Sequence, residues 1–231
     1  MLSLAGLASI LAPARPARAV PLAELLSAVA IEARTPSTLR ADMRIEHEGS
    51  PAVEAVLVAR GRRVYLETRT GTRALLSPGK VVIARGGHVV RAPVGMVLAG
   101  SDVLLEDLEP FGARSMPVAQ VSDENPVGIV VTGAPAPPSV YALLVHTIDP
   151  ERSVILQTKY YRDSISNLVK IRKDEDFTQV GGRWRPSAIG VESLRPPSST
   201  RLALDWHEAP DLPATLVTPA GLLAPSPISW P

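Results

Sequence analysis

Residues 39–48 read LRADMRIEHE, and the stretch alternates. Leu39, Ala41, Met43 and Ile45 fall on one parity; Arg40, Asp42, Arg44, Glu46 and Glu48 fall on the other. A period of two describes a strand with one dry face and one wet face. The pattern recurs in PAVEAVLVAR (51–60), where Val53, Ala55, Leu57 and Ala59 share a face. It recurs again in RVYLETR (63–69), with Val64 and Leu66 on one side and Tyr65, Glu67 and Arg69 on the other. Gly61-Arg62 between these runs is a two-residue turn of the kind that joins antiparallel strands. Shorter strands follow over 73–77, 80–85 and 88–91, set apart by Gly79 and by Gly86-Gly87. Connections this short cannot hold parallel crossovers, so the sheet is a meander.

Strands resume over 115–121, 127–132 and 140–148. A hairpin then joins VILQTKYY (154–161), with Val154, Leu156 and Tyr160 on one face, to ISNLVKIRK (165–173), with Ile165, Val169 and Ile171 on one face. Strands over 183–193 and 200–207 complete the series, and PSPISWP at the end has no periodicity and reads as a loose tail from residue 225. The best helix is PLAELLSAVAIEA (21–33), where Leu22, Leu25, Leu26, Val29 and Ala30 recur at spacings of three and four, Pro21 suits the first turn and Thr35-Pro36 ends it. A second, short helix is expected over 101–109, capped by Ser101 or Asp102, with Glu106 and Asp107 on its outer side. The fold class is mainly β (α+β): roughly ten to twelve strands in one long antiparallel meander. An open sheet of that many strands curls or splits. A sandwich would cover its dry face with opposing strands; a curved sheet would wrap around the inserted helices, and the order strands, helix, strands favours the second.

Composition excludes several function classes. The chain has 231 residues with 24 Lys and Arg against 23 Asp and Glu, a net charge of +1, so nothing favours nucleic acid or an anionic membrane surface. The absence of Cys removes disulfides, thiolate metal sites and Cys nucleophiles. Twenty-three prolines break up long helices, and only nine residues are aromatic. His47, His88, His146 and His207 are scattered with no metal-ligand spacing; His47 continues the dry face of the first strand and reads as a satisfied edge histidine. Residues 173–176 (KDED) lack the Gly and distal Glu of a calcium loop and read as a solvated turn. No G-x-S-x-G, P-loop or G-x-G-x-x-G is present, so no catalysis, cofactor or metal is expected.

The first nineteen residues, MLSLAGLASILAPARPARA, hold a short apolar run and then Ala17-Arg18-Ala19, an A-x-A cleavage site. The run is too short to span a bilayer and suits a secretory signal, although no Lys or Arg precedes it. Cleavage would leave a mature chain from Val20, with one domain over residues 20–224.

The second half resembles the LolA-like outer-membrane lipoprotein-sorting proteins. The resemblance lies in GSDVLLEDLEPF (100–111), then in a Tyr-bearing strand at SVYALLV, an Ile-Asp turn, the hairpin YYRDSISNLVK and GGRWRP, and last in DLPATLVTPAGL (211–222). Val103, Ser166 and Leu216 depart from the family's usual residues. The resemblance implies a half-open antiparallel barrel whose concave apolar face is covered by helices and holds acyl chains during passage through the periplasm. On that reading Leu39, Met43, Ile45, Val53, Leu57, Val64, Leu66, Leu156, Tyr160, Val169 and Ile171 form the cavity wall, and Leu22, Leu25, Leu26, Val29, Leu104, Leu105 and Leu108 form the lid. Asp102, Glu106 and Asp107 read as a helix cap and a solvated face. Walls of Val, Leu, Ile and Ala suit a methylene chain better than the aromatic platforms that bind bases.

Two functions fit. The first is a periplasmic, monomeric carrier or chaperone for lipid or lipoprotein acyl chains, with an inner-membrane exporter or an outer-membrane acceptor as partner. The second is an interaction module on the same scaffold that senses envelope state or assists an exporter without cargo.

Overall fold

Thirteen antiparallel strands form one sheet, seen in a computed structural model that describes residues 20–112 and 115–230. The expected export signal over residues 1–19 lies outside the described residues. Strands β1 (Thr35–His47), β2 (Val53–Gly61), β3 (Arg63–Thr68), β4 (Arg73–Ser77), β5 (Lys80–Arg85) and β6 (His88–Arg91) make one meander. Strands β7 (Val118–Asn125), β8 (Gly128–Ala134), β9 (Leu143–Asp149), β10 (Val154–Tyr161), β11 (Leu168–Val180), β12 (Arg183–Leu194) and β13 (Pro197–Glu208) make a second. The two join through β1 and β13, which pair from Leu39 opposite Glu208 to His47 opposite Thr200. The spatial order is therefore 6-5-4-3-2-1-13-12-11-10-9-8-7. One long meander of ten to twelve strands is corrected on both counts.

This order dictates the rest. β6 and β7 lie at opposite edges of the sheet, and the chain between them must cross from one edge to the other. Residues 92–112 make that crossing as a strap over one face. Leu98, Val103 and Leu105 of the strap pack into a core with Ala41, Met43, Ile45, Leu57, Leu66, Leu76, Val191 and Leu202. The helix expected over 101–109 shrinks to a single 3₁₀ turn at Leu105–Leu108, preceded by a bridge between Val97 and Leu104. Helix α1 (Leu22–Glu32) packs Leu25, Leu26 and Val29 on Met116, Ile129, Val131 and Ile148, beside the opposite wing of the sheet. The face carries one short helix and an irregular strap rather than a helical lid.

The outer face of β2 to β5 is also dry. Val56, Val58, Tyr65, Leu75 and Val82 are covered by Leu216, Val217 and Leu222, which lie on a 3₁₀ turn (Ala214–Val217) and on α2 (Pro219–Leu223), and by Ile228. The side chain of Thr218 caps α2 by accepting from the Gly221 N–H. The expectation of a loose tail from residue 225 is corrected: Ile228 is buried, Ser226 Oγ donates to Glu67, and Arg40 donates to the Ser229 carbonyl. Irregular backbone needs no periodicity to be fixed when side chains and carbonyls anchor it.

Residues 173–176 lie within β11, not in a turn, with Asp174 opposite Ile189 of β12. The turn comes later, at Gly181-Gly182, where both φ angles are positive (+58° and +71°). Two left-handed residues in a two-residue loop match the twist of the flanking strands.

Ile228→Ala is expected to lower unfolding stability by about 2 kcal/mol. Urea denaturation checks this; a midpoint unchanged from the parent would restore the loose tail.

Candidate functional site

Beneath the strap the concave face keeps a cavity of ≈ 290 Å³, close to the lower end of ligand-pocket sizes. Its two walls differ. One is aliphatic, from Leu57 and Ala59 of β2, Val64 of β3, Ile189 of β12 and Leu204 of β13. The other is polar and aromatic: His146 of β9, Thr158 and Tyr160 of β10, Arg172 and Asp174 of β11, and Tyr141 before β9. Leu108, Pro110 and Phe111 of the strap and Val29 and Ala33 of the α1 region roof the space, and Phe177, Trp184 and Trp206 line it as well. Six of the chain's nine aromatic residues therefore line this one space. The expected wall, chiefly aliphatic with Tyr160 as its one aromatic, is richer in aromatics than the sequence suggests: a low aromatic content says nothing about where the few aromatics gather.

The strap is pinned by its acids. Asp107 accepts from Lys170 Nζ at 2.6 Å, from Tyr141 Oη at 2.9 Å and from the Leu104 N–H at 2.8 Å, and its own carbonyl accepts from Arg172. Lys170 also donates to Tyr141 Oη at 2.8 Å and lies 5.5 and 5.6 Å from the centres of the Tyr141 and Tyr160 rings. Arg172 grips Asp174 in a two-pronged pair at 2.6 and 2.8 Å. Asp102 accepts from Ser198 Oγ at 2.5 Å and Thr200 Oγ1 at 3.0 Å and lies 3.4 Å from His47 Nδ1. Glu106 accepts from Ser139 Oγ, and Glu109 accepts from the Gly79 N–H at 2.6 Å. Asp107 does cap the 3₁₀ turn through the Leu104 N–H, but its side chain is 1% exposed and not part of a solvated face, and Asp102 bonds β13 rather than capping a helix. His47 is satisfied by Thr200 at 3.0 Å.

These pins sit in a dry setting that moves their proton equilibria. Burial pushes the Glu109 carboxyl up to about 7, reinforced by the charge of Glu106 and opposed by the Gly79 N–H. Burial also raises Glu106. It raises both Tyr141 and Tyr160, with the charge of Asp107 adding to each. Burial pulls His146 down to about 4, helped by the positive charge of Arg172, so the imidazole is neutral near pH 7.

Of the residues read from the sequence as wall, Leu57, Val64 and Tyr160 line the cavity. Leu39, Met43, Ile45 and Leu66 are at most 2% exposed; Met43, Ile45 and Leu66 belong to the core under the strap, with Val53 packed at its margin. Leu156 falls at a bulge between Ile155 and Gln157 and lines nothing. Val169 and Ile171 take the outer face: Ile171 lies opposite Lys159 and Glu192, while the alternate positions Lys170, Arg172 and Asp174 turn inward. Of the lid residues, Val29 and Leu108 reach the cavity; Leu25, Leu26 and Leu105 are buried in flanking cores, Leu22 packs beside them, and Leu104 serves the bridge to Val97. The inward polar residues were not singled out, because charges on a strand are taken as its wet face.

Removing one member of a buried ion pair costs about 3–5 kcal/mol, whereas replacing both members by apolar groups is close to neutral. Asp107→Leu is expected to lose stability in that range and Asp107→Leu with Lys170→Met to recover most of it, as read by urea unfolding. Equal losses in the single and double variants would show that the pair does not pin the strap. A second test concerns Glu109. The folded state holds its proton up to about pH 7, whereas an unfolded Glu releases it near 4.5. The folded state binds more protons in that window, so this group's contribution to stability falls as pH rises from 4.5 to 7. Relative to Glu109→Gln, the parent protein is expected to lose stability between pH 5 and 7.5; parallel profiles would refute this.

A domain from Vibrio parahaemolyticus, named for outer membrane lipoprotein sorting, superposes with a TM-score of 0.73 at 15% identity over 87% of this chain and 98% of its own. A DUF1329 family protein from Desulfovibrio piger gives 0.71 at 16% over 87% and 97%. A LolA superfamily protein from Nitrosomonas europaea gives 0.67 at 16% over 88% and 100%. At these identities the likeness is one of fold. A sequence comparison with curated proteins gives no match. The model of a family described as "Uncharacterized protein" matches residues 94–222, more than half of the chain, which takes in most of the strap, the Asp107–Tyr141–Lys170 cluster and Leu216, Val217 and Leu222 of the outer cover. The chain belongs to that family, and it shares its fold with the LolA superfamily protein.

Proposed function

We propose that this protein carries the acyl part of a lipid or lipoprotein through the periplasm, towards the outer membrane, in the cavity under the strap. The observation that carries the reading is the cavity itself: a single curved sheet keeps its concave face partly unfilled between an aliphatic and an aromatic wall. Leu57, Val64, Tyr160, Val29 and Leu108 would touch the chain directly, and the core residues around Met43 and Leu66 would hold the wall in shape. Each buried methylene contributes about 0.8 kcal/mol, so a hydrocarbon chain needs no ionic contact to be held. The cavity size supports one chain at a time unless the strap moves. The apolar run and A-x-A site before Val20 support export, and among the described residues no helix is long and apolar enough to cross a membrane. A monomer with an exporter or acceptor as transient partner fits the same scheme.

Mass spectrometry of lipids that co-purify from the native host is the direct test, with Ala59→Trp as the control that fills the cavity. Lipid at near one equivalent in the parent, and at least tenfold less in the Ala59→Trp variant while it still unfolds cooperatively, is the expected result. No bound lipid, together with unaltered envelope phenotypes for the filled variant, would favour the module that works without cargo.

A further inference from the structure

The charged side chains that line the cavity have partners among the described residues, with Arg185 meeting only neutral acceptors and Glu106 paired through one oxygen alone. Arg172 and Asp174 hold each other, Asp107 holds Lys170, and Glu109 holds the Gly79 N–H. Glu32 accepts from the Trp184 N–H and from Arg183, and Arg185 donates to the carbonyls of Glu32 and Trp184 and to Thr35 Oγ1. Glu106 accepts from Ser139 through one oxygen, and its other oxygen is sealed from the cavity space.

His146 is different. Its ring lines the cavity, its residue is 5% exposed, and Nδ1 meets Thr158 Oγ1 at 2.9 Å. Phe111 of the strap stands edge-on to the ring at 5.8 Å and fixes its plane. Nε2 has no hydrogen-bond partner among the described residues, and the ring that carries it lines the cavity. A polar atom left without a partner in a dry setting is unfavourable, and a ligand oxygen placed there would relieve it. An ionised group beside the neutral imidazole would lose hydration with no opposite charge on the ring to offset it. A hydroxyl can meet either tautomer of the imidazole, and an ester oxygen can meet the Nε2–H form.

We propose that His146 Nε2 is the polar contact of the bound ligand, and that this ligand is an alkyl chain bearing an uncharged oxygen, as hydroxyl or ester, inside the cavity. The proposal rests on the cavity being a ligand site; it adds which group is read and by which residue.

The test uses the purified protein stripped of lipid, 1-monododecanoylglycerol as the uncharged probe and dodecanoate as the charged one. Long-range ¹H–¹⁵N spectra follow the His146 imidazole, which stays neutral from pH 7 down to 5. The expected result is that the monoester shifts the His146 Nε2 resonance and binds at least tenfold tighter than dodecanoate at pH 7.5. His146→Leu should weaken the monoester about tenfold, and the spectra of the parent decide the matter even if that variant does not fold. Monoester binding with an unmoved His146 resonance, or dodecanoate binding as tightly, overturns the proposal and leaves the carrier function standing. Binding of neither probe overturns both.

Discussion

The pairing of the first strand with the last is the constraint from which the site follows. Nine consecutive residue pairs, from Leu39–Glu208 to His47–Thr200, join two meanders at the middle of one sheet. Once that seam forms, the two strands flanking the central connection lie at the outer edges. The connection must then cross the sheet, and the concave face gives it apolar residues to cross on: Met43, Leu57, Leu66 and Leu202 meet Leu98, Val103 and Leu105. The cavity is the part of the concavity that this crossing does not fill. It is bounded by the strap on one side and by α1 on another, and neither closes on itself as a second sheet would. Antiparallel order, strap and cavity are thus one consequence and not three separate features.

A strap that crosses a dry face has a difficulty that strands do not. Its N–H and C=O groups have no ladder to join, and buried backbone polar groups must be satisfied somewhere. Local turns, Thr200 and Arg172 meet part of that need, through the Leu98, Leu105 and Asp102 N–H groups and the Asp107 carbonyl, and the acids of GSDVLLEDLEPF tie the strap to its surroundings. Asp102 reaches β13, Asp107 reaches Tyr141 and β11, and Glu109 reaches the turn between β4 and β5. Three stretches that are far apart in sequence, the strap motif, the Tyr-bearing strand and the YYRDSISNLVK hairpin, therefore meet in the Asp107–Tyr141–Lys170 cluster. Such a cluster fixes register more than it adds stability, because burying the pair offsets much of its attraction. That balance suits a roof: strictly placed when closed, and not so deeply bound that a ligand could never lift it.

Much of this was legible from alternation alone. The positions of the strand segments, though not their total, the Gly61-Arg62 turn, the α1 face with Leu25, Leu26 and Val29, and the concave parity of Met43, Leu57 and Leu66 follow from period two, period 3.6 and turn chemistry. What was not legible has identifiable causes. The seam between β1 and β13 depends on a pairing across the whole chain, which no local pattern encodes. The bulge at Ile155–Gln157 and the inward turn of Lys170, Arg172 and Asp174 reverse the rule that charge marks the wet face, because partners from the strap and within β11 satisfy those charges. The outer cover left a trace in VLV (56–58), ALL (74–76) and VVI (81–83), runs that do not alternate because both faces are buried. PSPISWP lacked periodicity because its fixing groups are a buried Ile228, the Ser226 hydroxyl and the Ser229 carbonyl.

The gathering of aromatics at the cavity also bears on how the space persists. Interiors are close-packed, and flexible aliphatic walls tend to relax into a void. Rings have few rotatable bonds, and here they brace one another: Tyr141 lies 4.6 Å from Tyr160, Phe111 stands across His146, and Arg152 lies over both Phe177 and Trp184. A wall held in this way keeps its shape without a ligand, so less ordering is lost when a chain enters. The opposite wall, of Leu57, Ala59, Val64, Ile189 and Leu204, can then adapt to the methylenes that lie on it. One stiff wall that reads a polar atom and one soft wall that takes hydrocarbon is a division of labour suited to an amphiphile, and it places the choice of ligand on β9 to β11 rather than on the aliphatic strands that first draw the eye.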